Sequence, residues 1–439
     1  MAAAEEDKLK RFLARVIFAL VLFAPGARAQ AQTQPPAAAP PARAMARVFL
    51  DCNRCDEDYL KKEVTFVDYV RNREDADVHV LVTTQETGGG GSQWTLKFIG
   101  LGHFQGQDQT LTYNSPQTAT RDEVRAGFAE IFKLGLVRYS LDASVKEHLR
   151  VTYKKPEADA KDATKDRWNF WVFRIGASGD VNGEESQSGR SFRGSASANR
   201  TTDAWRLSFN GFANYSENNF EFVDEDLEKQ KVVSVSRNID FSGTVVKSLT
   251  QHWSLGLVGS AGANTFRNFA LRTRIAPGVE WNFFPYSEST RRMLTVNYTV
   301  GHDYHRYRET TVFGKDEEHL IDHRTELGIS MKQPWGSLSA VMNFSQYLTD
   351  PSKYSLGTFG GANIRIFKGF SVNAFGEFNR TRDQIYLPRG LASTEEVLLR
   401  QRQLASGYQY FLNFGISYSF GSIFNNIVNP RFGGVSFEF

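Results

Sequence analysis

The sequence is poor in cysteine, in net charge and in long apolar runs. Its 2 cysteines lie in one short motif, and without a second Cys/His pair beside it the sequence argues against a structural zinc site. Lys and Arg number 52 against 49 Asp and Glu, and a net charge of +3 gives no support for binding to nucleic acid. Beyond the N-terminus there is no run of roughly 18 apolar residues, which argues against helical membrane spans.

The N-terminus has the pattern of an export signal. Lys8, Lys10 and Arg11 precede the apolar segment VIFALVLFA, and the sequence ARA at 27–29 offers a small-x-small cleavage site. We predict a signal peptide over 1–29, because the apolar segment is too short for the alternative of an uncleaved membrane anchor. A Pro/Ala-rich linker follows over 30–46.

Residues 47–140 have the pattern of a small α/β domain. Helical spacing of apolar residues over 56–73 and a capping box, TRDE at 120–123, predict two helices. Strand-like segments lie at 47–51, 76–84, 93–100 and 109–113. The predicted order is β-α-β-β-β-α in a periplasmic domain of about 95 residues, which is large enough to have its own core. A charged linker is predicted over 141–166.

From residue 167 the pattern changes to long alternating segments, about twelve in number. The stretch YQYFLNFGISYSF near the end shows the alternation: Tyr408, Phe414 and Tyr418 share one face, and Asn413 lies on the other. We predict a mostly β protein, with a transmembrane antiparallel β-barrel over 167–421.

Three features favour lipid over a soluble core as the environment of the apolar face. The segments are about 12–17 residues long, whereas ordinary strands average about 5–6 and a membrane crossing needs about 9–11. Tight turns alternate with longer polar loops, near 219–231, 309–316 and 387–402. Aromatic residues lie near segment ends, as in Trp205 with Tyr215. Lipid cannot hydrogen-bond the backbone, so such a sheet is expected to close on itself.

The C-terminal sequence GGVSFEF, with Phe437 and Phe439, resembles the signal that the outer-membrane barrel assembly machinery reads. The resemblance implies that this machinery and outer-membrane lipid are partners of the chain. The barrel resembles bacterial outer-membrane barrels of the uncharacterised "salt-induced" type, and the domain at 47–140 is similar to the N-terminal α/β domain of TolB. Residues 422–439 are predicted to form either a periplasmic tail or the closing strand.

The cysteine motif DCNRC places Cys52 and Cys55 where the first strand meets the first helix. A redox site is one interpretation, because a helix N-terminus lowers the pKa of a thiol. A local structural disulfide is favoured, because the Trp-Cys context and the following βαβ pattern of thioredoxin-like proteins are missing.

A second cluster of interest is rich in histidine and lies at one predicted hairpin, 302–323. Its candidate ligands or acid/base groups are Asp303, His305, His319 and Asp322. A solvated hairpin tip of mixed charge is the favoured interpretation, because no fixed ligand spacing is present. We therefore predict no metal and no cofactor.

Charged side chains are predicted on the inward face of the barrel, where they could tune selectivity or fill the lumen by ion pairing. The predicted lumen residues are Arg174, Arg206, Arg272, Arg274, Glu280, Arg324, Glu326, Lys332, Arg365 and Glu377. Arg272 and Arg274 are expected to attract anions, with Glu280 neutralising one of them.

The sequence therefore predicts a non-enzymatic protein of the outer membrane, with its N-terminal domain in the periplasm. It is either a small-solute channel or a membrane anchor for that domain. Two alternatives remain: an outer-membrane hydrolase with a site at the 302–323 hairpin, and a periplasmic binding or assembly factor whose partner is a protein or peptidoglycan.

Overall fold

The computed structural model describes residues 45–141, 148–150, 166–223, 229–390, 407–429 and 431. The predicted signal peptide, nearly all of the first linker, most of the second, and Phe437 and Phe439 lie outside these residues. The described chain contains two sheets, one of 5 strands and one of 12 strands. None of the described helices is long and apolar enough to cross a membrane.

The five-stranded sheet belongs to the small domain, which has two α-helices, α1 (Glu57–Glu63) and α2 (Arg121–Ser140), and two short 3-10 helices, Arg73–Asp75 and Gly102–Phe104. Its strands are β1 (Ala46–Asp51), β2 (Val67–Tyr69), β3 (Val78–Glu86), β4 (Ser92–Gly100) and β5 (Gln109–Ser115). The strand order is β2-β1-β3-β4-β5, in which β1 is parallel to β2 and β3, while β3, β4 and β5 are antiparallel neighbours.

The prediction of one helix over 56–73 is wrong, because α1 ends at Glu63. After Val64 the apolar residues alternate instead of following helical spacing, and Val67 and Tyr69 are both buried in β2. Pairing β2 beside β1 satisfies backbone groups and buries two large side chains, which a continued helix would have left on a less apolar face. The domain order is therefore β-α-β-β-β-β-α.

The second helix forms as predicted. The hydroxyl of Thr120 accepts from the backbone N–H of Glu123, and the Glu123 carboxylate accepts from the backbone N–H of Thr120, which completes the capping box. The apolar stripe of α2 packs Phe128 and Phe132 over Phe98 and Trp94 of β4. This core is separate from the larger sheet, so the domain has its own hydrophobic centre.

The larger sheet has twelve antiparallel strands, each paired with its neighbours in sequence from β6 to β17. The strands are β6 (Trp171–Gly183), β7 (Gln187–Thr201), β8 (Trp205–Val223), β9 (Lys229–Ser248), β10 (Trp253–Asn264), β11 (Phe269–Asn282), β12 (Arg292–Tyr307), β13 (Glu317–Gln333), β14 (Gly336–Tyr347), β15 (Asp350–Phe367), β16 (Phe370–Thr381) and β17 (Tyr408–Tyr418). Within the described residues no pairing joins β6 to β17, so the predicted closure is not part of this sheet.

The two faces of the large sheet differ sharply in chemistry. Residues opposite each other in antiparallel strands share a face, and the register places Arg274, Ser260 and Ser242 together on what we term the polar face. The other face, termed the apolar face, carries exposed large side chains: Ile175 is 91% exposed and Phe414 is 77% exposed. A soluble protein would bury such a surface.

The two ends of the large sheet also differ. At one end, termed the inner end, tight turns join β7 to β8, β13 to β14 and β15 to β16. Of the loop predicted near 219–231, the described residues 219–223 and 229–231 are strand, because cross-strand pairs such as Phe220 with Val232 and Phe222 with Gln230 continue the β8–β9 ladder. Residues 224–228 lie outside the described residues. Most of the loop predicted at 387–402 lies outside the described residues.

The cysteine motif forms a disulfide between Cys52 and Cys55, whose Cα atoms are 5.7 Å apart. We expect the Cys52→Ser/Cys55→Ser double variant to lose at most about 2 kcal/mol of domain stability, because the closed loop is very short. Chemical denaturation followed by Trp fluorescence measures this loss. Thiols that react freely in oxidised, native protein would contradict the structural interpretation.

Candidate functional site

The strand register places every predicted lumen residue on the polar face. Directly opposed pairs include Arg274 with Asp303 and Glu326 with Asn343. By the same register the face also carries three charged residues outside that prediction, Asp180, Arg193 and Asp240. We therefore treat the polar face, with the two groups of residues that cover its ends, as the candidate site.

Two buried carboxylates organise the centre of the polar face. Asp322 is 2% exposed and accepts from Arg274 Nε at 3.0 Å and from Arg324 Nε at 2.6 Å. Asp303 is fully buried, with Arg272 Nη2 at 3.6 Å and Arg324 Nη2 at 3.8 Å from its oxygens. Among the described residues neither oxygen of Asp303 has a hydrogen bond. Several cations therefore share two anions in a network, and none forms an isolated ion pair.

The arginines of this network differ in what they face. The Arg274 side chain is 5% exposed and also donates to Thr299 Oγ1 at 3.1 Å, so it is fully engaged within the sheet. The side chains of Arg272 and Arg324 are 33% and 39% exposed and line open space. Of the two arginines predicted to attract anions, Arg272 therefore faces open space, whereas Arg274 is held within the sheet.

The expectation that Glu280 neutralises Arg272 or Arg274 is wrong. Its carboxylate accepts from Tyr286 Oη at 2.6 Å and from Asn297 Nδ2 at 3.4 Å, farther along the strand toward the inner end. Asp303 and Asp322 supply the counter-charge, because the register sets them beside the arginines on neighbouring strands.

Two cavities open onto the polar face beside this network. One has a volume of about 670 Å³ and the other about 510 Å³. The residues that line both cavities are Arg267, Phe269, Arg272 and Arg324. The junction between the cavities therefore consists of three guanidinium groups and one aromatic ring.

The end of the large sheet opposite the inner end, termed the outer end, carries the β10–β11 and β12–β13 loops. The loop segment 382–389, which follows β16, crosses the polar face at this outer end. Val312 donates its backbone N–H to Leu387 O at 2.8 Å, and Asn268 Nδ2 donates to Tyr386 O at 3.0 Å. Ile385 is buried against Leu320 and Tyr347. The segment thus connects the end of β16 with the β12–β13 and β10–β11 loops, directly above the cavity that Tyr386 helps to line.

The small domain covers the inner end. Arg365, on the polar face, donates through two nitrogens to the carboxylate of Asp51, each at 2.8 Å. Lys368 pairs with Asp75 at 2.7 Å, and Arg174 Nε donates to Gln117 at 2.7 Å. These contacts come from β6 at one edge of the sheet and from β15 and its following turn near the other edge.

The segment after β17 binds the edge of the domain sheet. Val70 forms an antiparallel bridge with Phe424, Asn425 donates its backbone N–H to Tyr69 O at 2.9 Å, and Asn426 Nδ2 donates to Asp68 at 2.8 Å. The described part of 422–439 is therefore a tail that extends the β2 edge and not a strand of the large sheet.

Asp51 and His79 form the buried centre of the docking contact. His79 Nε2 lies 3.2 Å from Asp51, and Arg73 Nε donates to His79 Nδ1 at 3.3 Å. Burial lowers the pKa of His79, although Asp51 opposes the shift. Burial would raise the pKa of Asp51, but hydrogen bonds from Arg365 and His79 outweigh it and hold that pKa well below its usual range. The result is an ionised Asp51 beside a neutral His79.

The histidine-rich hairpin does not form the single cluster considered from the sequence. Asp303, His305 and Asp322 lie on the polar face, whereas His319 lies on the opposite face with its Nδ1 3.3 Å from His302 Nε2. Among the described residues no group of three or more acidic, His or Cys side chains could hold a metal ion. A one-residue change of position in a strand reverses the face, which separates His319 from the others.

Sequence reasoning missed Asp51, His79 and Arg267. Asp51 and His79 lie in strands of the small domain, and no local pattern indicates that an arginine more than 280 residues away would meet them. Arg267 lies in the β10–β11 connection, where strand alternation does not apply. The only available signal for Arg267 is its closeness in sequence to Arg272.

The buried His79 predicts how domain stability depends on pH. Its folded pKa lies below its unfolded value of about 6.5, so the stability it contributes is present above that pH and is lost as the pH falls below it. Asp51 adds a second loss below its unfolded pKa of about 3.9. Thermal unfolding between pH 7.5 and pH 5 should show a falling Tm, and His79→Gln should flatten that fall. An equally steep fall in the variant would contradict this role.

Comparison with known proteins gives a family match within the large sheet. Residues 176–382, from β6 to just after β16, match a family described as "Protein of unknown function, DUF481". A solved structure described as a NanC porin is 9% identical, with a TM-score of 0.24, over 56% of this chain and 99% of that one. No curated protein matches the chain.

Proposed function

We propose that the chain is an outer-membrane β-barrel protein that passes small solutes, with its α/β domain in the periplasm. The observation that carries the proposal is the twelve-stranded antiparallel sheet with one exposed apolar face and one charged face. Water around the apolar face would be costly, whereas lipid would accept it, and the polar face would then surround the solute path.

The spacing of aromatic residues on the apolar face supports a membrane location. Trp205 and Tyr215 are ten residues apart in β8, and Tyr408 and Tyr418 are ten residues apart in β17. Ten residues span about 33 Å of strand, and a tilt of about 40° reduces this to about 25 Å, the height of the apolar band in such barrels. Lys247 over the Trp205 ring and Arg237 over the Tyr215 ring supply cations at the two levels.

The position of the small domain supports a regulated channel. Its contacts with Arg174, Lys332 and Arg365 engage basic side chains of the polar face at the inner end. In this proposal the domain covers the periplasmic opening, and solutes pass when the domain shifts. The second candidate is a permanently covered barrel that anchors its domain in the membrane. The bidentate contact between Arg365 and Asp51 favours it.

The finer parts of the proposal concern type and partners. We propose that the barrel is of the "salt-induced" type and that the domain resembles that of TolB, with a periplasmic protein or peptidoglycan as its partner. Phe437 and Phe439 would be read by the barrel assembly machinery. The division of Asp303 and His319 between opposite faces supports a non-enzymatic role over a hydrolase at the 302–323 hairpin.

Arginine substitutions at neighbouring positions of β17 should separate the two faces. Phe414→Arg should destabilise the protein by about 2–4 kcal/mol if the residue lies near the bilayer midplane. Asn413→Arg should cost much less, because Asn413 shares the polar face with Phe375 and Gly361. Reversible unfolding in lipid vesicles measures both values. Equal costs would mean that the faces are assigned wrongly.

Weakening the contacts between the small domain and the inner end should raise conductance in planar bilayers. The Asp51→Asn/Lys368→Gln variant removes two charges from the inner-end contacts, so the full-length variant should spend more time open than the native protein. The matched control is Glu63→Gln/Lys133→Gln, which removes an ion pair within the domain. An increase in the control as well would indicate general destabilisation, and no conductance in any of the three proteins would favour the anchor.

A further inference from the structure

We infer that the polar face carries a binding site for an oxyanion, the carboxylate or phosphate group of a small solute, formed by Arg267, Arg272 and Arg324. The inference deepens the proposed function, because it places a selective site on the solute path. The inference depends on which charged side chains of the polar face have ion-pair partners and which do not.

The three arginines meet at the junction of the two cavities. A solute that passes from the 670 Å³ cavity to the 510 Å³ cavity must pass these residues, because they and Phe269 line both. Each cavity is large enough for a small organic acid or phosphate. The Phe269 ring lies 5.7 Å from the Arg272 guanidinium carbon, which limits the orientation of that side chain.

The carboxylates beside the junction do not cancel its positive charge. Asp322 binds both Arg274 and Arg324, and Asp303 is shared among Arg272, Arg274 and Arg324 at 3.6 to 3.8 Å. Three arginines thus share two carboxylates. Arg267 adds a further cation that has no ion pair with the described residues. The junction therefore carries an excess of positive charge.

The other charged residues that line the two cavities are Asp240, Glu326, Lys353, Arg380 and Asp383. They are of both signs and are not shared by both cavities, so the positive excess is concentrated where the cavities meet. The buried His305 lies behind Asp303, with its Nε2 3.6 Å from that carboxylate, and does not line either cavity.

The buried carboxylates also position the guanidinium groups. Asp322 holds Arg324 through Nε, and Asp303 lies on the buried side of Arg272 and Arg324. The remaining N–H groups of these half-exposed side chains are left for the cavities. Paired guanidinium N–H groups match the geometry of two oxygens on one carboxylate or phosphate. A neutral solute would leave these donors without charged acceptors.

The test is isothermal titration calorimetry, in which the full-length protein in detergent is titrated with inorganic phosphate and, separately, with succinate. Arg272→Gln/Arg324→Gln should weaken binding at least tenfold. The matched control, Arg193→Gln/Arg206→Gln, removes two basic residues of the polar face that line neither cavity and should leave affinity unchanged. Phosphate binding without succinate binding would assign the site to phosphate groups, and the reverse to carboxylates.

The single variant Arg267→Gln tests the site without breaking the buried ion network, because this side chain has no ion pair with the described residues. Loss of binding in this variant is therefore not a result of misfolding. The Arg267→Gln variant should also show weaker binding. Equal loss in the control variant, or no binding of either anion by the native protein, would overturn the site.

Current through planar bilayers separates the site from the channel. If the native protein binds the anion, the Arg272→Gln/Arg324→Gln variant does not, and neither protein conducts, the site is supported and the channel is refuted. Conductance that neither anion alters, together with no measurable binding, would keep the channel and refute the site.

Discussion

The two-sidedness of the twelve-stranded sheet is the constraint on which the rest of the molecule depends. Every strand from β7 to β16 pairs with a strand on each side, and successive side chains of a strand lie on opposite faces. Large apolar residues such as Ile175 and Phe414 lie on one face, and the network of Asp303 with its arginines lies on the other. In the proposed membrane setting, this arrangement keeps the charged groups away from lipid without a conventional hydrophobic core.

Charges on the polar face are themselves unevenly placed. Asp303 and Asp322 are almost fully buried among arginines, whereas Arg272 and Arg324 remain half-exposed on the cavity side. Burying the acidic partners fixes the arginines, since an unpaired buried carboxylate would be strongly unfavourable. The same arrangement leaves the positive ends directed toward open space, where an anionic solute would meet them.

At the inner end, a basic residue of the polar face is also paired with a buried carboxylate, which here belongs to the small domain. Arg365 belongs to the polar face, and its counter-charge, Asp51, comes from a different domain. The tail after β17 joins the edge of the domain sheet next to β2. Charge pairing with Arg365 and strand addition by the tail thus hold the small domain at two places.

Local sequence determined the strand count, the face of each predicted lumen residue and the capping box of α2, because alternation and capping depend on near neighbours. It did not determine that α1 would end at Glu63, since the gain from pairing β2 with β1 is a tertiary effect. Nor did it determine which charges meet. Asp51 with Arg365, and Asp303 with Arg272, come together only through strand register and domain docking, which bring residues from distant parts of the chain within a few ångströms.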